Sequence, residues 1–373
     1  MITPLSSSRR AFAPPLPGFD APFFLAGLAG YSDAAMRLTA RRLGAPFCVT
    51  ESMLDTLLLS GGKSLRKADP ERLKNAVLGA RAEADESQSC GEGAGLEGNL
   101  AAGLEDHPLA GQIIGSTTDG IAEAARLVVE LGFDVVDLNL ACPSKKSKRK
   151  VPRGGNLLAE PALAIELLRA VRDAVPPHVP RSVKLRRGFD EGLEHERAFH
   201  RIFEAVIELG YAWATVHART VEQRYVGRSH WPFLTDLVAR YPQMRVFGSG
   251  DIFEVGDIFR MLDETGVQAV SVARGAIANP FLFREARAVL RGEEPAPASL
   301  AEQRELLLAH ASLAWRLHGE EQGTRLMRKF ALRMAERHPE PARARARLVA
   351  VRQSADLEEE LLELYGEPMS PPA

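Results

Sequence analysis

Eight short apolar runs punctuate this 373-residue chain, and most are followed by a segment with helical spacing. They fall at 23–29, 47–51, 109–115, 135–141, 182–187, 214–219, 245–250 and 269–274. The intervening segments are amphipathic, as in IAEAARLVVEL at 121–131, ALAIELLRAVRDAV at 162–175 and RAFHRIFEAVIEL at 197–209. Strands alternating with helices of this length imply parallel pairing. Eight such units match the size of a closed parallel (β/α)8 barrel, the TIM-barrel architecture. An open doubly wound sheet is the alternative. It would usually carry a Gly-rich dinucleotide turn after its first strand, and Leu28-Ala29-Gly30-Tyr31-Ser32-Asp33 is not one.

Two regions break the rhythm. Residues 82–107 are acidic, rich in Gly and Ala and poor in bulky apolar side chains, so a flexible insertion is expected before the third strand. Gly292 to Ala298 reads as a linker, and only helical patterns follow it. The expected organisation is a catalytic barrel over 1–294 and a small C-terminal helical domain over 299–373. Between Glu321 and Gln353 this tail carries nine Lys/Arg against three Glu. A solvated helix surface and a phosphate-contact surface both fit that excess.

A net charge of −2 means that any nucleic-acid contact must come from local patches. Three cysteines, Cys48, Cys90 and Cys142, are too few and too scattered for a disulfide framework or a metal site. The N-terminus lacks a secretory pattern, and no stretch is long and apolar enough for a bilayer. A cytoplasmic monomer with no metal and no membrane contact is expected.

In such a barrel the functional face lies at the C-terminal strand ends, and alternation says which side chains point inward. In Ser182-Val183-Lys184-Leu185-Arg186 the apolar pair faces the helices, so Lys184 and Arg186 face in. A buried lysine is costly without an anionic or polar partner. Thr215, His217 and Arg219 alternate likewise, which puts His217 at the level of Lys184. Gln112 adds a donor and an acceptor. The fourth strand ends Asn139-Leu140-Ala141-Cys142-Pro143, and Pro143 keeps Cys142 out of a helical conformation, over the barrel mouth. A lone cysteine is usually a small buried hydrophobe. This one is followed by Lys145-Lys146-Ser147-Lys148-Arg149-Lys150, which alone would be a solvated loop.

Barrels often bind phosphate with the loops after strands 7 and 8. Here these are Gly248-Ser249-Gly250-Asp251 and Ala273-Arg274-Gly275-Ala276. Small residues let backbone N–H groups approach an anion, and Arg274 adds a charged donor. A phosphorylated cofactor is implied, and FMN suits a site that also presents Lys184.

Together these motifs resemble the dihydrouridine synthases, flavin enzymes that reduce uridine in tRNA. The resemblance runs from about Phe24 to the C-terminus, outside 82–107. It rests on Ala26 to Asp33, Gln112-Ile113-Ile114-Gly115-Ser116, Asp137 to Lys146, Val183 to Arg186, Val216 to Thr220, Ser249 to Ile252, Ala273 to Ala276 and Arg328-Lys329. The chain has Gly27-Leu28, Ala141, Ser249 and Ala273 where the family usually has Pro-Met, Gly, Asn and Gly. The resemblance implies hydride transfer from reduced FMN to C6 of a uracil flipped out of its stack, with Cys142 protonating C5 and NADPH restoring the flavin. Gly27, Leu28, Ala29, Gln112, Lys184, His217, Ser249, Gly250, Asp251, Ala273 and Arg274 would contact the cofactor. Asn139 would orient the base, and Lys145, Lys146, Lys150, Arg186, Arg328 and Lys329 would contact RNA. An FMN barrel acting on a free pyrimidine, or an inactive RNA-binding paralogue, are the competing readings. The basic run and basic tail are superfluous for a free base.

Overall fold

The eight runs become the eight staves of a closed parallel barrel. The computed structural model describes residues 12–59, 103–143 and 152–366. The strands are β1 (Phe23–Leu25), β2 (Cys48–Val49), β3 (Met53–Leu54), β4 (Leu109–Ile114), β5 (Val135–Leu140), β6 (Arg181–Arg186), β7 (Trp213–His217), β8 (Val246–Ser249) and β9 (Ala269–Val272). All pair in parallel, and β1–β9 and β2–β4 close the ring.

β2 and β3 form one broken stave, because both pair with β4, at Leu109-Ala110 and at Ile113-Ile114. Thr50 spans the break. Its N–H donates to Ala110 O at 3.0 Å, and its Oγ1 accepts the Gln112 N–H at 3.0 Å. The side chain thus replaces a missing ladder bond. The expected strand at 47–51 is correspondingly shorter, and β3, two residues long, has too little pattern to be read from sequence. The first run also ends early. Residues 26–29 leave the sheet where Gly27 meets Thr50; a Cβ there would lie 2.2 Å from Thr50 O. Only glycine fits that approach, so Gly27 follows from the neighbouring backbone.

Inward positions change character along the barrel axis. At the N-terminal end Phe19, Phe24, Phe47, Trp213 and Phe247 form a buried plug, with Phe19 and Phe47 stacked at 4.8 Å and Trp213 and Phe247 at 5.4 Å. Burying each such ring contributes roughly 1.5–3 kcal/mol. One pleat further on, the inward residues turn polar: Ala110 gives way to Gln112, Val135 to Asp137 and Asn139, Trp213 to Thr215 and His217. The plug therefore forms a dry floor under a polar mouth.

The helices start where side chains supply caps. Asp33 Oδ1 accepts Met36 N–H at 2.9 Å before Ala34–Arg42, and Thr117 caps Thr118–Glu130. Pro161 and Pro232 open the helices after β5 and β7. After residues 291–299 come Leu300–His318, opened by a Ser299/Glu302 capping box, then Glu320–Met334, Pro341–Ala350 and Ser354–Leu364. No helix among the described residues is long and apolar enough to cross a membrane.

Part of the 82–107 expectation needs correction. Residues 82–102 lie outside the described residues, but Leu104–Asp106 is a 3-10 turn. Asp106 pairs with Arg37 at 2.7 Å, both side chains fully buried. Composition alone could not show this pairing, because Arg37 is 69 positions away.

Candidate active site at the barrel mouth

One cavity opens at the C-terminal strand ends, with about 930 Å³ of non-atom space, part of it open to solvent. All eleven residues expected at the cofactor line it: Gly27, Leu28 and Ala29 from the loop after β1, Gln112, Lys184, His217 and Ser249 from strands, and Gly250, Asp251, Ala273 and Arg274 from beyond the last two strands. Asn139, Cys142 and Arg186 line it too. Lys145, Lys146 and Lys150 lie outside the described residues.

Cys142 sits in a harness of backbone bonds. Asn139 Oδ1 accepts both Ala141 N–H at 2.9 Å and Cys142 N–H at 3.0 Å. Arg186 Nε donates to Ala141 O at 2.9 Å, and Gly155 N–H donates to Cys142 O at 3.0 Å. A Cβ on Gly154 or Gly155 would come within 3.1 Å of Cys142 O, so two glycines let the following segment close on the cysteine.

Behind the harness runs a buried relay. Asn139 Nδ2 donates to Gln112 Oε1 at 2.7 Å and to Ser52 Oγ at 3.2 Å. Gln112 Nε2 donates to Asp137 Oδ2 at 2.8 Å, and Ser182 Oγ donates to Asp137 Oδ1 at 2.6 Å. An ionised carboxylate only accepts, so Asp137 fixes which way both amides face. Burial raises the Asp137 carboxyl; the hydrogen bonds from Ser182 and Gln112 and the charge of Lys184 pull it back.

Two expectations change here. Asn139 was expected to orient a base, yet both its amide hydrogens and its oxygen are engaged inside the protein. It shapes the loop that carries Cys142. Arg186 was expected at an RNA phosphate, but it is 1% exposed. Besides Ala141 O it donates to Thr220 O and Arg224 O, each at 2.8 Å. Five donors on a planar fork suit a residue that ties three carbonyls together.

Lys184 is enclosed by protein atoms yet open to the cavity. Burial lowers its pKa to about 8, Asp137 opposing and Arg186 reinforcing that shift. No hydrogen-bond partner for its ammonium is found among the described residues. His217 pairs in register with Arg186, and Lys184 with Thr215, so His217 stands one pleat above the expected level. Burial first, then Arg186, Lys184 and Arg219, hold His217 well below the usual histidine range, so it is neutral at pH 7. Arg219 approaches its Nε2 at 3.3 Å. Since Arg can only donate, the ring proton sits on Nδ1.

Asp251 organises the loop after β8, at φ +58° directly after Gly250 at φ +114°. It accepts from Arg219 at 2.7 Å and Ser229 N–H at 2.8 Å, and lies 3.6 Å from Arg274. The Arg274 guanidinium stands over two rings, Tyr225 at 5.0 Å and Phe253 at 5.1 Å. Those rings, 51% and 42% exposed, form a rim that sequence reading missed. Exposed loop aromatics carry no periodicity; their signal was only their position in loops after barrel strands.

In the tail, Arg328 donates to Val351 O at 2.9 Å and Lys329 to Gly30 O at 3.3 Å. Arg325, Arg333, Arg337, Arg343 and Arg347 all hold ion pairs, so much of the basic excess is neutralised locally. No group of three or more His, Cys, Asp and Glu suited to a metal occurs among the described residues.

The family model of dihydrouridine synthase (Dus) matches residues 24–367. The chain belongs to the dihydrouridine synthase family. It is 32% identical over 324 residues to tRNA-dihydrouridine synthase B of Xanthomonas axonopodis pv. citri, covering 86% of each chain. It is 31% identical to tRNA-dihydrouridine synthase B of Pseudomonas aeruginosa, covering 82% of this chain and 81% of the relative. A tRNA-dihydrouridine(16) synthase of Aquipseudomonas alcaligenes is 32% identical, over 76% of this chain and 81% of the relative. Among solved structures, 2-naphthoyl-CoA reductase superposes with a TM-score of 0.52 at 11% identity, over 74% of this chain and 50% of that one. 6-Hydroxypseudooxynicotine amine oxidase from Pseudomonas geniculata gives a TM-score of 0.52 at 14% identity, over 80% and 52%. The synthase thus spans about half of each of these structures, and the likeness is one of fold.

Proposed function

We propose that this synthase reduces uridine in tRNA to 5,6-dihydrouridine, with FMN as redox group, NADPH as reductant and Cys142 as acid. The observation that carries the reading is the harness on Cys142, which fixes a thiol beside the cavity that Lys184 also faces. The cavity suits FMN. Ser271 Oγ, buried in its wall, has no partner among the described residues. Gly250 leaves room where a Cβ would lie 2.4 Å from Ser229 Oγ, and Gly275 where one would lie 2.3 Å from Ile252 O. An enclosed ammonium without a hydrogen-bond partner calls for an electron-rich ligand.

Saturating C5=C6 takes one hydride and one proton. FMN, when bound, supplies the hydride to C6 at NADPH's expense. The Cys142 Sγ–H bond breaks toward C5, and solvent re-protonates the thiolate. Gln112, Ser271 and Lys184 would hold the cofactor from the barrel wall, with Lys184 supplying positive charge to it. Neutral His217 donates through Nδ1–H without adding charge. Ser249 to Asp251 and Ala273-Arg274 would receive its phosphate, while Tyr225 and Phe253 narrow the mouth against water.

Residues 299–373 serve as an RNA-binding domain in this reading, with Arg328, Lys145, Lys146 and Lys150 as RNA-contacting residues. The test is direct. Purified synthase with NADPH and unmodified tRNA should form dihydrouridine, detected by mass spectrometry, and should bind tRNA with steep salt dependence. Turnover of free uracil with none of tRNA would reject the RNA substrate.

A further inference from the structure

The loop from Gly27 to Asp33 has two sides. Gly27, Leu28 and Ala29 line the cavity. Gly30, Tyr31 and Asp33 meet the C-terminal helices, and five contacts join them. Lys329 Nζ donates to Gly30 O at 3.3 Å and lies 5.3 Å over the Tyr31 ring. Phe330 meets Tyr31 edge to face at 5.3 Å between centroids. Arg333 bonds the Tyr31 side chain. His318 Nε2 bonds Asp33 Oδ2 at 2.8 Å, both side chains nearly buried.

The barrel grips the same peptide from the other side. Glu51, in the break between β2 and β3, accepts the Gly30 N–H. The Gly30 peptide is therefore held at both ends, its N–H by a barrel carboxylate and its C=O by a tail ammonium. Gly30 itself sits at φ +78°, where glycine turns without strain. These two bonds hold a segment outside the sheet ladder.

We propose that the C-terminal helices position the cofactor loop, with Lys329 and His318 as positioning residues for FMN binding. Lys329 then acts on the cofactor rather than on RNA. This rests on the FMN reading above, and the two fail separately.

The experiment titrates FMN into deflavinated full-length protein and follows flavin fluorescence. Wild-type protein that binds no FMN rejects the cofactor reading. With wild-type binding established, Lys329→Met and His318→Leu should each weaken FMN by about tenfold, the equivalent of ~1.4 kcal/mol. Lys329→Arg keeps a donor and should restore most of the affinity, which a general packing defect would not allow. Arg325→Ala, an exposed tail charge, should leave the FMN Kd unchanged. Wild-type FMN Kd in both Lys329→Met and His318→Leu overturns the proposal. So does a loss of tRNA affinity in Lys329→Met with its FMN Kd unchanged. Should Lys329→Met fail to fold, His318→Leu decides alone by the same criterion.

Discussion

The Asn139 side-chain oxygen accepts the Cys142 backbone N–H at 3.0 Å, and the same oxygen takes Ala141 N–H at 2.9 Å. One amide three residues upstream thus sets the turn that presents the thiol. Its orientation is fixed in turn by Gln112 and Asp137, so Cys142 is held by a chain of contacts reaching the barrel's polar middle.

Replacing that amide should uncouple geometry from acidity. Asn139→Leu leaves two loop N–H groups without their acceptor, at about 1–3 kcal/mol for each that stays buried. Thermal unfolding should fall measurably, and uridine reduction in single turnover should slow by at least tenfold. Asn139→Asp keeps the acceptor for the loop and loses the donor to Gln112. It should retain more activity than Asn139→Leu; equal rates in the two variants would refute the loop-shaping role.

Cys142→Ala should leave flavin reduction by NADPH intact in stopped-flow absorbance. Dihydrouridine formation should drop by roughly 10²–10⁴-fold, the span of a lost general acid. Full product formation by that variant would remove Cys142 from the chemistry.

Lys184 makes cofactor binding depend on pH. Its pKa in the folded protein is about 8, below the ordinary 10.5. The cation that an electron-rich ligand favours is therefore present below about pH 8 and lost above it. FMN affinity should weaken from pH 7 to pH 9 in the wild type. In Lys184→Met the affinity should be lower at pH 7 and nearly flat over the same range. Parallel pH curves for the two proteins would assign the dependence elsewhere.

His310 should shape acid stability. It is fully buried against Phe330, and burial lowers its pKa to about 4. Between pH 6.5 and 4 the unfolded chain binds a proton that the folded chain does not, so stability falls as the pH falls. The full effect of one such group is up to about 3 kcal/mol. Denaturant titrations at pH 7 and pH 5 should show a smaller loss for His310→Leu than for wild type.

What could be read from the chain follows from range of action. Strand order and the inward face of Lys184 and His217 were legible, because alternation is local and the barrel repeats it eight times. Gln112 was legible as a polar residue at an inward position, but not as one link of a relay. Arg186 looked available for RNA because its charge is visible in sequence. Its three carbonyl partners lie 34 to 45 positions away. Asp106 was lost in an acidic, small-residue segment for the same reason. In the tail, the excess of basic residues was plain, and its neutralisation by ion pairs was not.

The break between β2 and β3 has a mechanical consequence. β1 meets β2 at a single residue pair, Leu25 with Cys48, where the adjoining seams β1–β9 and β2–β4 share three and two and β5–β6 shares five. A ring parts first where fewest rungs cross it. That clasp lies beside the Gly27 approach to Thr50, at the root of the loop that walls the cavity. Loosening the clasp and loosening the cavity wall are then a single event.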